Sequence, residues 1–169
     1  VSDSTTVSLN NSSPVFDTAA AISPSSGVVT GTTLSCSAAA SDPDDGSLTP
    51  TYVWTVNGTT VETGASYTVL ATDSDVGDSV VCTATATDSS GSSITSTDSV
   101  TVENTAPTFS VSASISPSSS IVVGSELTCS SSASDADDGS LTPTYVWSIG
   151  STTVGTSSTY TVTSSDSDV

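Results

Sequence analysis

The sequence predicts an all-β protein made of two-layer antiparallel sandwiches repeated in tandem. Three observations carry that expectation. Apolar and polar residues alternate with a period of two in several short runs. Turn-forming clusters of Gly, Pro, Asn, Asp and Ser separate those runs. Much of the first part of the chain is also copied 93 residues further on.

The runs can be justified in order. In 32–38, Leu34, Cys36 and Ala38 share one face, and in 52–56 that face holds Tyr52, Trp54 and Val56. In 80–87, Val80, Cys82, Ala84 and Ala86 point one way, while Thr83, Thr85 and Thr87 point the other. Val100 and Val102 in 99–103 close the pattern. Between them stand SPSSG, DPDDG, NGT, DSDVGD and DSSG, whose residues reach positive φ or bond their own backbone and so favour turns. No useful stretch holds a 3.6-residue period. About seven short strands per repeat, each apolar on one face, are most simply buried by packing two sheets together.

The duplication sets the organisation. ASDPDDGSLTPTYVW ends at Trp54, and ASDADDGSLTPTYVW ends at Trp147. The same shift pairs Pro14 with Pro107, Phe16 with Phe109, Cys36 with Cys129 and Tyr67 with Tyr160, without a gap. More than half of the aligned pairs are identical. Residues 1–11 fall on 94–104, and Val169 falls on Val76. The expected domains are therefore 1–11 as the last strand of a preceding repeat, 12–104 as a complete repeat, and 105–169 as a partial repeat lacking its last two strands. The chain reads as a window on a longer array.

Charge narrows the function. The chain has 18 acidic residues and no Lys, Arg or His, for a net charge of −18. Nothing in it can neutralise phosphate, so nucleic-acid binding and attraction to an anionic membrane fall away. Apolar runs of a few residues are far short of the ~20 needed to span a bilayer, so no membrane insertion is expected here. Nucleophile–His pairs and Schiff-base lysines cannot be built. Catalysis would rest on carboxylates alone, as in a two-Asp glycoside hydrolase. The same acids recur in each repeat with no aromatic cleft evident, so the expectation is that the chain is not an enzyme.

The spacing Cys36…Trp54…Cys82 resembles that of an immunoglobulin-like domain, in which cysteines on two facing strands join the sheets beside a core Trp. The resemblance implies tandem immunoglobulin-like sandwiches, a Cys36–Cys82 disulfide, and an oxidising, extracellular setting. Two buried free thiols are the alternative for that pair. Cys129 would find its partner outside this chain. Val80 stands where antibody-type domains carry Tyr. SDPDDGSLTPTYVWTVNG and ATATDSSGSSITSTDSVTV are similar instead to PKD-type and bacterial or archaeal immunoglobulin-like repeats of large surface proteins.

The acids cluster as Asp42, Asp44 and Asp45, repeated as Asp135, Asp137 and Asp138; as Asp73, Asp75 and Asp78; and as Glu103 beside Asn104. In an immunoglobulin-like sandwich the 42–45 and 73–78 loops lie at opposite ends. End-to-end stacking would then gather Asp73, Asp75, Asp78, Glu103, Asn104, Asp135, Asp137 and Asp138 at one junction. Hard oxygen ligands in that number suit Ca²⁺, and the arrangement is similar to cadherin-like junctions. Acids also favour turns and solubility with no ion at all. Both readings stand at this point. Asn10, Asn11 and Asn57 head N-x-S/T sequons, expected to carry glycans if used. Gly150 replaces Asn57 in the second copy, so the fold does not require a glycan there.

The expected function is a structural repeat module of an extracellular filament or adhesin stalk at the cell surface, giving length, stiffness and protease resistance. Its partners would be neighbouring repeats of the same protein and identical chains in a filament. The alternative is a carbohydrate- or protein-binding immunoglobulin-like module.

Overall fold

Val, Thr, Ala and Ser fill the alternating runs, and branched or small side chains suit a pleated, half-buried surface. In the computed structural model, which describes residues 3–168, they form fourteen strands and no α-helix. Val1, Ser2 and Val169, at the margins of the expected 1–11 and 105–169 segments, lie outside the described residues. The chain divides into two units, Val1–Asn104 and Thr105–Val169.

Unit 1 holds β1 (Val15–Ser23), β2 (Thr33–Asp42), β3 (Gly46–Leu48), β4 (Thr51–Val56), β5 (Thr59–Thr63), β6 (Ser66–Thr68), β7 (Ser79–Thr87) and β8 (Ser93–Thr101). In one sheet β2 pairs with β1, β3 and β6; the other runs β5-β4-β7-β8. Every pairing is antiparallel. The count is eight rather than about seven. The added strand is β3, a three-residue return from the turn after Asp42, with Asp42 opposite Gly46.

The inward faces of the two sheets make one core. Leu34, Trp54, Val80, Cys82, Ala84 and Ala86 have no exposed surface, as the alternation required. A disulfide joins Cys36 of β2 to Cys82 of β7, with the Cα atoms 6.5 Å apart. Trp54 lies opposite Cys82 in the β4–β7 ladder. Its ring centroid is 5.9 Å from that of Tyr67, and its Nε1 donates to the Gly64 carbonyl at 2.9 Å. The bridge, the Trp and the Tyr thus form one packed group. Asn57 and Gly58 take positive φ (47° and 85°) in the two-residue turn between β4 and β5, the conformation that selects Asn-Gly in tight hairpins.

β8 begins six residues before the run read from sequence. Its first half is Ser, Thr and Asp with Ile94 as the single apolar residue, yet it pairs with β7 from Thr87↔Ser93 to Ser79↔Thr101. Backbone pairing, not side-chain pattern, extends it. Two of its polar side chains also tie it to the first sheet: Ser96 Oγ accepts the Ala20 N–H at 2.9 Å, and Asp98 Oδ2 accepts that of Ile22 at 2.8 Å. Residues 3–11, which align with this strand, form no strand themselves. β8 exists because β7 offers it a ladder, and residues 3–11 pair with none here.

Unit 2 holds β9 (Thr108–Ser116), β10 (Glu126–Asp135), β11 (Gly139–Leu141), β12 (Trp147–Ile149), β13 (Thr152–Gly155) and β14 (Thr159–Thr161), followed by a 3₁₀ turn at Ser164–Asp168. β10 pairs with β9, β11 and β14, repeating the first sheet of unit 1. β12 and β13 form a two-stranded ribbon where unit 1 has four strands. Leu127 and Trp147 are buried. The Trp147 and Tyr160 rings lie 5.6 Å apart, and Trp147 Nε1 donates to the Ser157 carbonyl at 2.8 Å. All of β9 is exposed.

The disulfide closes a sequence separation of 46 residues. Chain-entropy reasoning gives about 4 kcal/mol for a loop of that size. A Cys36→Ser/Cys82→Ser double variant should therefore lose about 4 kcal/mol of protection, read from amide hydrogen exchange in β2 and β7. Unchanged protection would show that the bridge closes a sandwich already fixed by packing alone.

Candidate functional site

A chain without a single basic side chain must satisfy its carboxylates with neutral N–H and O–H donors or with water. That requirement organises both ends of unit 1. At one end, the turn after β2, the turn between β7 and β8, and the segment leading into β1 converge. Asp42, only 3% exposed, accepts the N–H groups of Asp44 and Asp45 on Oδ1 at 2.7 and 3.1 Å. Asp44 Oδ2 accepts the Ser12 N–H at 2.6 Å, which pins the leading segment. The two oxygens of Asp45 take the N–H and the hydroxyl of Ser89 at 2.8 and 2.9 Å. Asp88, also buried, accepts the N–H groups of Ser90 and Ser92 and the side-chain amide of Asn11. That Asn11 amide first, and then the backbone N–H groups of the turn, hold the Asp88 carboxyl below the ordinary value. Asp42 Oδ2 is buried with no partner.

Unit 2 repeats the device. Asp135 Oδ1 accepts the Asp137 N–H at 2.8 Å and the Thr105 hydroxyl at 3.1 Å. Asp137 Oδ2 takes both the N–H and the hydroxyl of Thr105 at 2.6 Å. In each unit the Asp-x-Asp pair fastens the incoming chain to the turn after the second strand.

The opposite end of unit 1 is built from the other cluster. Tyr67 donates its hydroxyl to Asp73 Oδ1 at 2.9 Å. Asp78 accepts the Asp75 N–H at 2.9 Å and the Asn57 amide at 2.6 Å, and these donors, in that order, lower its pKa. Glu103 Oε1 accepts the Gly27 N–H at 2.9 Å. Burial, with the hydrogen bond to Asp73 and its charge behind it, pushes the Tyr67 hydroxyl up to about 12. Unit 2 again has the copy: Tyr160 donates to Asp166 at 2.5 Å, which lowers the Asp166 carboxyl and raises the Tyr160 hydroxyl.

Of the residues expected to gather calcium, Asp73, Asp75, Asp78, Glu103 and Asn104 belong to unit 1, and Asp135, Asp137 and Asp138 to unit 2. Asp73, Asp78, Glu103, Asp135 and Asp137 accept hydrogen bonds from their own unit; Asn104 and Asp138 are exposed. Among the described residues, no three Asp, Glu, Cys or His side chains converge as a metal-holding group. Two sequon amides are also engaged: Asn11 with Asp88 and Ser92, and Asn57 with Asp78. A glycan on either nitrogen would compete with those bonds. Asn10 is exposed beside them.

Sequence reasoning passed over Asp88 and the bonding role of Asn11. The signal for Asp88 was present: an Asp directly after an alternating strand and three residues before Gly91 is placed to cap a turn with its own side chain. Nothing in sequence pairs it with Asn11, 77 positions away. Unit 2 also carries an apolar cleft of about 280 Å³, lined by Pro107, Phe109, Ala133, Leu141 and Pro143 among others. No helix among the described residues is long and apolar enough to cross a membrane. No protein-family model, curated protein or solved structure matches the chain.

The Tyr67–Asp73 bond yields a pH test with a definite sign. A phenol whose pKa is raised in the fold contributes stability that is fully present below its unfolded value near 10. That contribution is lost as the pH climbs through about 12. Urea midpoints measured across this interval should fall steeply for the native chain and less for Tyr67→Phe. At neutral pH the variant should already be weaker by about 1 kcal/mol, the worth of one hydrogen bond. Equal alkaline slopes would remove Tyr67 from the account.

Proposed function

We propose that the chain is a stretch of a structural array: tandem immunoglobulin-like sandwiches of an extracellular filament or adhesin stalk. The observation that carries this reading is the covalent bond between the two layers of unit 1, from Cys36 to Cys82. A core this rich in Val and Ala offers little resistance to shearing of one sheet past the other. A bond across the layers supplies it. Disulfides persist in oxidising compartments, which favours the outer surface. The Asp-x-Asp lock in both units is what an array needs where chain passes into each repeat. A charge of −18 keeps neighbouring chains apart, and a chain without Lys or Arg gives trypsin-like proteases no cleavage site. The aromatic residues that a carbohydrate-binding face would use are spent inside, since Trp54 and Tyr67 are buried.

Single-molecule pulling tests the mechanical role. The 46-residue separation closed by the bond cannot lengthen while the bond is intact. Unfolding of oxidised unit 1 should release about 150 Å less contour length than unfolding of the reduced form. Equal release in the two states would overturn the load-bearing role of the bridge. Saturable binding of glycans to a single repeat would move the protein to the ligand-binding class.

Calcium belongs to the same proposal as a counter-ion of the array. The net charge and the donorless buried oxygen of Asp42 support it. A site with a dissociation constant of about 10⁻³ M would add about 1.4 kcal/mol at ~10 mM calcium. The same melting temperature and scattering dimensions in calcium and in EDTA would take the ion out of the reading.

A further inference from the structure

Among the described residues, every buried side-chain oxygen or nitrogen has a hydrogen-bond partner except Asp42 Oδ2. An orphaned acceptor inside a fold is costly and calls for an account. Asp42 ends β2 at 3% exposure, and its Oδ1 accepts the N–H groups of Asp44 and Asp45 at 2.7 and 3.1 Å. Both donors lie just beyond the Asp42–Pro43 peptide bond, so they hold the carboxyl against that bond as in an Asx turn. The other titratable groups at this end are all carboxylates: Asp44 and Asp45 on the same turn, Asp88 on the turn between β7 and β8, and Asp17 of β1, which is bonded to Ser41. None is a cation that could pin Oδ2. The bond beside it is also singular, since Asp42–Pro43 is the one Asp-Pro pair in the sequence. A proline nitrogen carries no hydrogen and leaves as a secondary amine, which is a more basic group than the primary amine of other residues. Pro43 is exposed and, with Asn10, Asn11, Asp44 and Ser90, lines an open cleft of about 570 Å³. The nucleophile is dry and the leaving group is wet.

We propose that unit 1 cuts its own backbone between Asp42 and Pro43, with the Asp42 carboxyl as the nucleophile. Carboxylates act in this way in covalent catalysis. The proton of the Asp42 carboxylic acid passes to the Pro43 nitrogen, Oδ2 bonds to the Asp42 carbonyl carbon, and the C–N bond breaks with its electron pair remaining on nitrogen. The products are a five-membered aspartic anhydride at the end of residues 1–42 and a free proline amine at the start of residues 43–169. Water from the cleft then opens the anhydride to two carboxyl groups, so the net change is the addition of one water. The fold assists by fixing the carboxyl over its target and stripping water from it. The new amine emerges beside Asp44 and Asp45 as a cation in a chain that has no basic side chain. Scission does not release the pieces. Cys36 precedes the cut and Cys82 follows it, so the disulfide joins them, and β3 still pairs with β2 across the break. Parting of the chain thus takes two events, the cut and reduction of the bridge. Unit 2 lacks the leaving group, because Ala136 follows Asp135. The inference goes beyond the structural-array reading and holds whether or not the chain is a stalk.

The test holds the oxidised 169-residue chain in EDTA at about pH 4 and follows its intact mass; EDTA keeps calcium from competing for Oδ2. The chain should gain the mass of one water while running as a single species on a non-reducing gel. On reduction it should separate into residues 1–42 and 43–169, with Pro43 as the new N-terminus. The folded chain should be cut about tenfold faster than the same chain reduced and unfolded in urea, because only the fold orients the carboxyl. Pro43→Ala, the residue that unit 2 itself carries in this turn, should stay whole with hydrogen exchange in β2 and β7 unchanged. A folded chain cut no faster than the unfolded one, or Pro43→Ala cut at the native rate, would overturn the proposal. Should hydrogen exchange show that the chain unfolds in acid, the same comparison at neutral pH and longer times decides: faster cutting of the folded chain supports the proposal, and a chain that stays whole overturns it.

Discussion

The bond from Cys36 to Cys82, with Trp54 beside it, fixes the distance between two sheets that have little else bulky to hold them. Around it the core is Val, Ala, Leu and Ile, with Tyr67 set against the Trp ring. Small side chains bury little area each, roughly 0.8 kcal/mol per methylene, so a domain of this composition gains less from packing than a leucine-rich one of equal length. Restricting the unfolded chain compensates for part of that shortfall. The strands that carry the bond are also the best paired: β2 is central in its sheet, and β7 lies between β4 and β8. Hence the constraint is delivered to the middle of each layer and not to an edge.

The second organising fact is chemical. Eighteen carboxylates with no basic partner would ordinarily repel one another and avoid burial. Here several are used as acceptors for backbone N–H groups, Ser hydroxyls, Asn amides and Tyr hydroxyls, which are neutral donors the chain has in abundance. Asp88 and Asp78 are lowered in pKa by such donors and stay ionised. A carboxylate in this role closes turns and seals the ends of the sandwich. The sealing is local, so each unit carries its own copy of it. Tyr67–Asp73 and Tyr160–Asp166, six residues apart in both cases, are the same bond made twice.

Much of this was legible in the sequence because the strongest signals are local and periodic. Cys36, Trp54 and Cys82 sit on alternating runs, and the alternation in 80–87 is reproduced residue by residue in burial. The turns were legible through Asn-Gly and Asp-rich clusters. The first half of β8 was not, because Ser93–Ser99 owes its strand to the β7 ladder and carries little apolar pattern. β3 escaped for a related reason: three residues are too few to show a period. The acids were seen as clusters but their partners were not, since the bonds from Ser12 to Asp44 and from Ser89 to Asp45 join segments 32 and 44 positions apart. Identity of residue type declares an acceptor; only the fold says which donor reaches it.

The two units separate what local sequence determines from what tertiary cover determines. ASD-x-DDGSLTPTYVW is shared by both except at one position, and both build the same turn, the same three-residue return and the same lock on the incoming chain. Yet Thr51–Val56 is a six-residue strand, while its counterpart is a strand only over Trp147–Ile149. The lost residues are those that β4 pairs with β7 through Thr51↔Thr85 and Tyr52↔Ala84. An identical TYV therefore becomes strand or irregular chain according to whether a neighbour offers it backbone groups. Turns and caps in this repeat are written in its own residues. The second layer is written in the pairing, as the ladder between β4 and β7 of unit 1 makes plain.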